Sequence, residues 1–117
     1  MKNGSVLINA RSFATLTTEK RIQTLSNDGG ITFGPTYFID IPQPFDGCQG
    51  SIVKVSTSND TLYFTGPDSY VKRDHLSLWR SDDDGQTWIK EKLIFIIKVK
   101  CIEIILILMT LLMEFLN

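Results

Sequence analysis

Two octapeptides of one pattern stand 55 residues apart: Ser26-Asn27-Asp28-Gly29-Gly30-Ile31-Thr32-Phe33 and Ser81-Asp82-Asp83-Asp84-Gly85-Gln86-Thr87-Trp88 both read S-x-D-x-G-x-T-aromatic. The pattern describes a tight hairpin. Its aspartate can accept hydrogen bonds from the amides of its own turn, its glycine supplies a positive φ, and its terminal aromatic packs between strands. Ser26, Asp28, Gly30, Thr32 and Phe33, with Ser81, Asp83, Gly85, Thr87 and Trp88, are therefore expected to build and not to catalyse. The run Asp82-Asp83-Asp84 does not make a calcium loop, which needs ligands at alternate positions and a distal glutamate. A hairpin recurring at this spacing fits a propeller blade, about 40–50 residues plus a loop.

The segments around the repeat agree. Ser5–Arg11, Arg21–Ser26, Tyr37–Ile41, Ser51–Ser56, Thr61–Thr65 and Leu76–Ser81 are short runs rich in Val, Ile, Leu, Thr, Tyr and Phe. Each is bounded by Gly, Pro, Asn or Asp clusters, and helical periodicity is absent as far as Trp88. Such spacing suits an all-β sandwich, barrel or propeller, and the repeat selects about two blades of a propeller.

Composition narrows the function classes. With 117 residues the chain is one domain or part of one. Twelve Lys and Arg against 13 Asp and Glu leave a net charge of −1 with no basic block, which argues against a nucleic-acid partner. Two cysteines, Cys48 and Cys101, and one histidine, His75, make neither a disulfide framework nor a zinc cluster, so no metal or cofactor is expected. Cys48 reads as a small buried hydrophobe. His75 reads as a packed or solvent-facing histidine, although its place two after Arg73 would put both on one face of a strand.

All 8 Gly and 4 Pro lie in residues 1–88, whereas residues 89–117 hold 14 Ile or Leu in 29 positions. The chain is accordingly divided into a partial propeller over 1–92 and a hydrophobic tail over 93–117. Ile104–Met113 is apolar apart from Thr110 but only ten residues long, short of the roughly 20 that span a bilayer. The tail reads foremost as translated non-coding sequence, against a membrane-anchoring helix or a buried strand or helix pairing with further blades; membrane association through it is not favoured. The opening Met1-Lys2-Asn3-Gly4 has no apolar stretch of signal-peptide type behind it. It reads as a turn whose upstream partner strand is missing.

Both octapeptides resemble the Asp boxes, at 26–33 and 81–88, of sialidases (neuraminidases), six-bladed β-propellers that remove terminal sialic acid from glycoconjugates. Gly4-Ser5-Val6-Leu7-Ile8-Asn9-Ala10-Arg11 resembles the Asn-Ala-Arg strand of the animal enzymes, and Gly47-Cys48-Gln49-Gly50-Ser51 resembles their Cys-Gln-Gly-Ser segment. The resemblance runs from Gly4 to about Lys92. It implies an exo-α-sialidase acting on glycoproteins, gangliosides and oligosaccharides, with sialylated glycoconjugates as partners and a lysosomal, cytoplasmic or membrane location.

The resemblance also implies site residues. Sialidases hold the substrate carboxylate with three arginines, since a guanidinium donates paired hydrogen bonds and stays charged. Arg21, five before Ser26, matches the second of these, and Arg73, eight before Ser81, the third. Gln49 matches a residue lining the glycerol or N-acyl side of the pocket. Arg11 is taken as structural, and Lys20, Lys72 and Arg80 as surface residues. No catalytic residue is assigned. The implied tyrosine nucleophile belongs to a Tyr-Ser motif after the second Asp box, where this sequence has no tyrosine, and Tyr37, Tyr63 and Tyr70 lie outside that context. The activating glutamate would fall at or before Met1, and the acid/base aspartate and first arginine belong to earlier blades. The chain is therefore expected to be inactive alone. The alternative is a non-catalytic Asp-box propeller module of sorting-receptor type, which does not explain Arg21, Arg73 and the Cys-Gln-Gly-Ser segment together.

Overall fold

The computed structural model describes residues 4–12, 20–44, 47–54 and 61–95. Seven strands form two antiparallel sheets. In the first, β1 (Val6–Ala10), β2 (Lys20–Ser26) and β3 (Tyr37–Pro42) run in the order β1-β2-β3. In the second, β4 (Ser51–Lys54), β5 (Leu62–Pro67), β6 (Leu76–Ser81) and β7 (Ile89–Phe95) run in the order β4-β5-β6-β7. Consecutive strands pair throughout, as short connections favour.

The repeated octapeptides set the correspondence between the sheets. Ser26–Phe33 joins β2 to β3 and Ser81–Trp88 joins β6 to β7, so β1-β2-β3 matches β5-β6-β7. β4 has no counterpart in the first sheet among the described residues. The change of composition after Trp88 is not a break in the sheet, because Ile89–Phe95 pairs with β6 along its length. Most of the tail lies outside the described residues.

The core lies between the sheets. Ile39 and Ile41 on β3 meet Phe64 and Trp79, with Tyr37 and Trp88 packed against them. Phe64 and Trp79 are directly opposite across β5 and β6, with ring centroids 5.7 Å apart, the pairing that aromatic side chains favour in antiparallel sheets. The inward face of β2 is different in kind. Its buried positions include Arg21, Gln23 and Ser26 rather than aliphatic side chains.

Candidate functional site

A buried arginine must find hydrogen-bond acceptors, and β1 and β2 supply one by register. Asn9 is opposite Gln23, and Arg21 lies two residues from Gln23 on the same face, diagonal to Asn9. The pairing of β2 with β3 is irregular between Lys20 and Ile22, at the position where Arg21 turns inward; such irregularities re-aim side chains. Arg21 Nε donates to Asn9 Oδ1 at 2.6 Å and Nη1 to the Cys48 carbonyl at 2.8 Å. Its guanidinium carbon lies 4.9 Å from the centroid of the Phe64 ring, a cation–π contact. Burial, and after it the nearby charge of Arg11, push the Arg21 guanidinium down to about 10.

The segment 47–50 brings the second arginine to the first. Arg73 Nη2 donates to the Gly47 carbonyl at 3.3 Å, so Arg21 and Arg73 hold consecutive carbonyls of one loop. Two glycines let that loop come close. Gly47 has φ 65°, and a Cβ there would stand 3.2 Å from Arg11 Cδ. A Cβ on Gly50 would overlap the Phe64 ring and stand 3.2 Å from Arg21 Cζ. Among the described residues no carboxylate forms an ion pair with Arg11, Arg21 or Arg73. Two anchored guanidiniums with a third arginine beside them give a region of positive potential suited to an oxyanion. Two of Arg21's five donors are engaged, and Nη2 makes no hydrogen bond among the described residues.

The other residues singled out in the sequence are placed as follows. Gln49 lies on the loop whose carbonyls accept from the two arginines and is exposed. Cys48 is fully buried, and it is disulfide-bonded rather than a lone hydrophobe, its partner lying outside the described residues. His75 is exposed in the connection before β6, with φ 52° and Nδ1 2.8 Å from Asp74 Oδ1; no strand alternation pairs it with Arg73. Lys20 joins Asp40, while Arg80 joins Asp82 and Glu91.

The two octapeptides make the same hydrogen bonds. Ser26 Oγ donates to Asp28 Oδ1 at 2.7 Å and accepts from the Gly30 amide at 2.9 Å, while the Thr32 amide donates to Asp28 at 2.9 Å. In the second turn the corresponding distances for Ser81, Asp83, Gly85 and Thr87 are 2.8, 2.9 and 2.8 Å. Gly30 and Gly85 have φ 93° and 85°. These bonds hold Asp28 down to about 2, the Thr32 hydroxyl and amide contributing most. For Asp83 burial raises the value, but the bonds from Thr87 and Ser81 outweigh it and the net shift is downward. The terminal aromatics differ. Trp88 packs against Phe64 with centroids 6.0 Å apart, whereas Phe33 is 42% exposed and not packed between strands. The second turn lies against the first sheet, where Leu7 closely approaches Gly85.

The residues that spacing and composition did not single out are Gln23, buried two residues from Arg21 on β2, and Phe64, under the guanidinium. Asn9 was visible only as part of a longer motif.

Among solved structures the chain is similar to NanB sialidase from Streptococcus pneumoniae in complex with 2-[(3-chlorobenzyl)ammonio]ethanesulfonate, with TM-score 0.62 and 23% identity, covering 75% of this chain and 14% of that one. It is also similar to the intramolecular trans-sialidase from Ruminococcus gnavus in complex with oseltamivir carboxylate, with TM-score 0.60 and 19% identity, covering 78% of this chain and 20% of that one. The all-β fold is that of part of a sialidase β-propeller, and the chain spans a fifth or less of those neighbours' length. No family profile and no curated protein sequence matches the chain.

Proposed function

We propose that this chain carries the carboxylate-binding part of an exo-α-sialidase, a glycoside hydrolase that releases terminal sialic acid from glycoproteins, gangliosides and oligosaccharides. The observation that carries this reading is the convergence of Arg21 and Arg73 on the consecutive carbonyls of Gly47 and Cys48, in a sialidase-type fold. In this reading Arg21 and Arg73 take the sialic acid carboxylate, Gln49 faces the glycerol or N-acyl side, and the two hairpins are Asp boxes. The desolvated Arg21 cation gains most from an anion, because burial has removed its hydration without supplying a carboxylate among the described residues. Cleavage requires a tyrosine to attack the anomeric carbon and water to release the sugar. The 117 residues hold no match for that tyrosine's motif, so they bind without turnover.

A second reading draws on the burial of Arg21, which is 4% exposed with two donors used internally. That pattern also suits a non-catalytic propeller binding module of sorting-receptor type, in which Arg21 is structural. Titration of the full chain with N-acetylneuraminate, against galactose as a neutral sugar, separates the two. The sialidase reading expects binding of the acid sugar alone and a loss of about 1.5–3 kcal/mol on Arg21→Ala or Arg73→Ala, the range for hydrogen bonds to charged groups. Affinity unchanged in both folded variants would overturn it. Reproducible hydrolysis of a fluorogenic sialoside, abolished by Arg21→Ala, would overturn the absence of turnover.

A further inference from the structure

We propose that the second turn, Ser81–Trp88, orients Arg21 through a relay of two side-chain amides, making Gln23 and Asn9 positioning residues for the guanidinium. Gln23 is 1% exposed, and all four hydrogen-bonding valences of its amide are used. Oε1 accepts from Asn9 Nδ2 at 2.8 Å and from Trp88 Nε1 at 3.2 Å. Nε2 donates to the Gly85 carbonyl at 2.8 Å and to the Tyr37 hydroxyl at 3.1 Å. The Asn9 amide then presents Oδ1 to Arg21 Nε at 2.6 Å.

An amide can be turned end for end, so its direction must be set by neighbours that can only donate or only accept. Here both ends of the relay are of that kind. The Trp88 indole N–H can only donate and the Gly85 carbonyl can only accept, which fixes Gln23 with its oxygen toward Trp88 and Asn9. That oxygen in turn requires the Asn9 NH2, leaving Asn9 Oδ1 for Arg21, which can only donate. Turning either amide would set donor against donor in a buried site, where an unmet group costs about 1–3 kcal/mol. With Nε held by Asn9 and Nη1 by Cys48, the plane of the guanidinium is fixed and Nη2 is left on its remaining side. The turn and the arginine belong to different sheets, so the relay also fixes the guanidinium relative to the second sheet.

The geometry of the relay stands on its own, while its effect on sialic acid rests on the sialidase reading, so the test measures both. In the 15N-labelled full chain, solvent exchange of the Arg21 Nε–H is followed beside the affinity for N-acetylneuraminate. Gln23→Met, which keeps length and burial but no amide, is expected to speed that exchange and weaken binding about tenfold, one buried hydrogen bond's worth. The Thr87 amide, bound to Asp83 within the turn, stays protected. Trp88→Phe, which keeps a smaller ring against Phe64 and removes the indole N–H, is expected to move both readouts the same way by less. In a cycle with Asn9→Ala, the second substitution adds little to the first, because both cut one path. An unchanged Arg21 signal in a folded Gln23→Met chain overturns the relay. If Gln23→Met does not fold, an unchanged signal in Trp88→Phe overturns it. A shifted Arg21 signal in a chain that never binds N-acetylneuraminate supports the relay and rejects the sialidase reading.

Discussion

Arg21 and Asp28 both titrate below their ordinary values, and the signs have opposite consequences. Burial lowers Arg21 to about 10, so the folded chain carries a penalty at neutral pH that is relieved only as pH rises above about 10, where the unfolded arginine still holds its proton. Asp28 falls from 3.8 to about 2. Its ionised form therefore contributes stability that is present above the unfolded value and lost as pH falls through the folded one. The thermal midpoint is expected to drop between pH of about 4 and 2, and to drop less in Asp28→Asn, which is weaker at neutral pH but has no carboxylate left to protonate. Circular dichroism melts across that range check this; equal acid sensitivity in the variant rejects it. A steric prediction belongs to the same scale. Gly50→Ala places a methyl group in the space of the Phe64 ring and against Arg21, and overpacking of this kind costs about 1–3 kcal/mol. Gly34→Ala, whose Cβ would meet only ordinary contact at 3.5 Å, is the control in urea denaturation.

The two hairpins show how far local sequence determines an element and where it stops. Their internal bonds agree to about 0.1 Å and were legible in the octapeptides, because every donor and acceptor lies within the turn. Their surroundings were not legible, because Trp88 packs against Phe64 on another strand and hydrogen-bonds Gln23 in the other sheet. Hence Trp88→Ala is expected to cost about 3–5 kcal/mol, a large fraction of a small domain's stability, and Phe33→Ala within about 0.5 kcal/mol of nothing. Similar losses for the two in chemical denaturation would reject the asymmetry. The strands were legible through their turn residues and β-branched runs, except for β7. Its Ile-Lys-Glu-Lys-Leu-Ile-Phe lacks glycine and proline and merges with the tail. The arginines were singled out only through the resemblance, which sets their spacing to the octapeptides. Gln23 was hidden because apolar alternation on β2 would turn Ile22 inward, whereas β2 buries Arg21 and Gln23 and leaves Ile22 half-buried. Only a polar network crossing between sheets makes that burial tolerable.

At the scale of the whole molecule the two sheets depend on each other. The buried cluster takes Ile39 and Ile41 from one sheet and Phe64 and Trp79 from the other, so the described strands should unfold as one unit. What the sheets do not cover is equally definite. Val6, Ile8, Ile31, Phe33 and Phe38 are all at least 36% exposed and all belong to the first sheet or its turn. Beside them β1 is paired only with β2 among the described residues, which leaves an edge able to accept another strand. A net charge of −1 offers little repulsion between copies. The chain is therefore expected to self-associate as concentration rises, with Ile8→Lys moving it toward monomer, since a lysine there costs the folded chain little and disfavours an apolar contact. Added salt should not disperse the assemblies, because burial of apolar surface and strand pairing are not screened as ion pairs are. Sedimentation velocity over a range of concentrations distinguishes the cases. A chain monomeric throughout, or an Ile8→Lys chain that associates as strongly as the parent, would show that this face and edge are not adhesive.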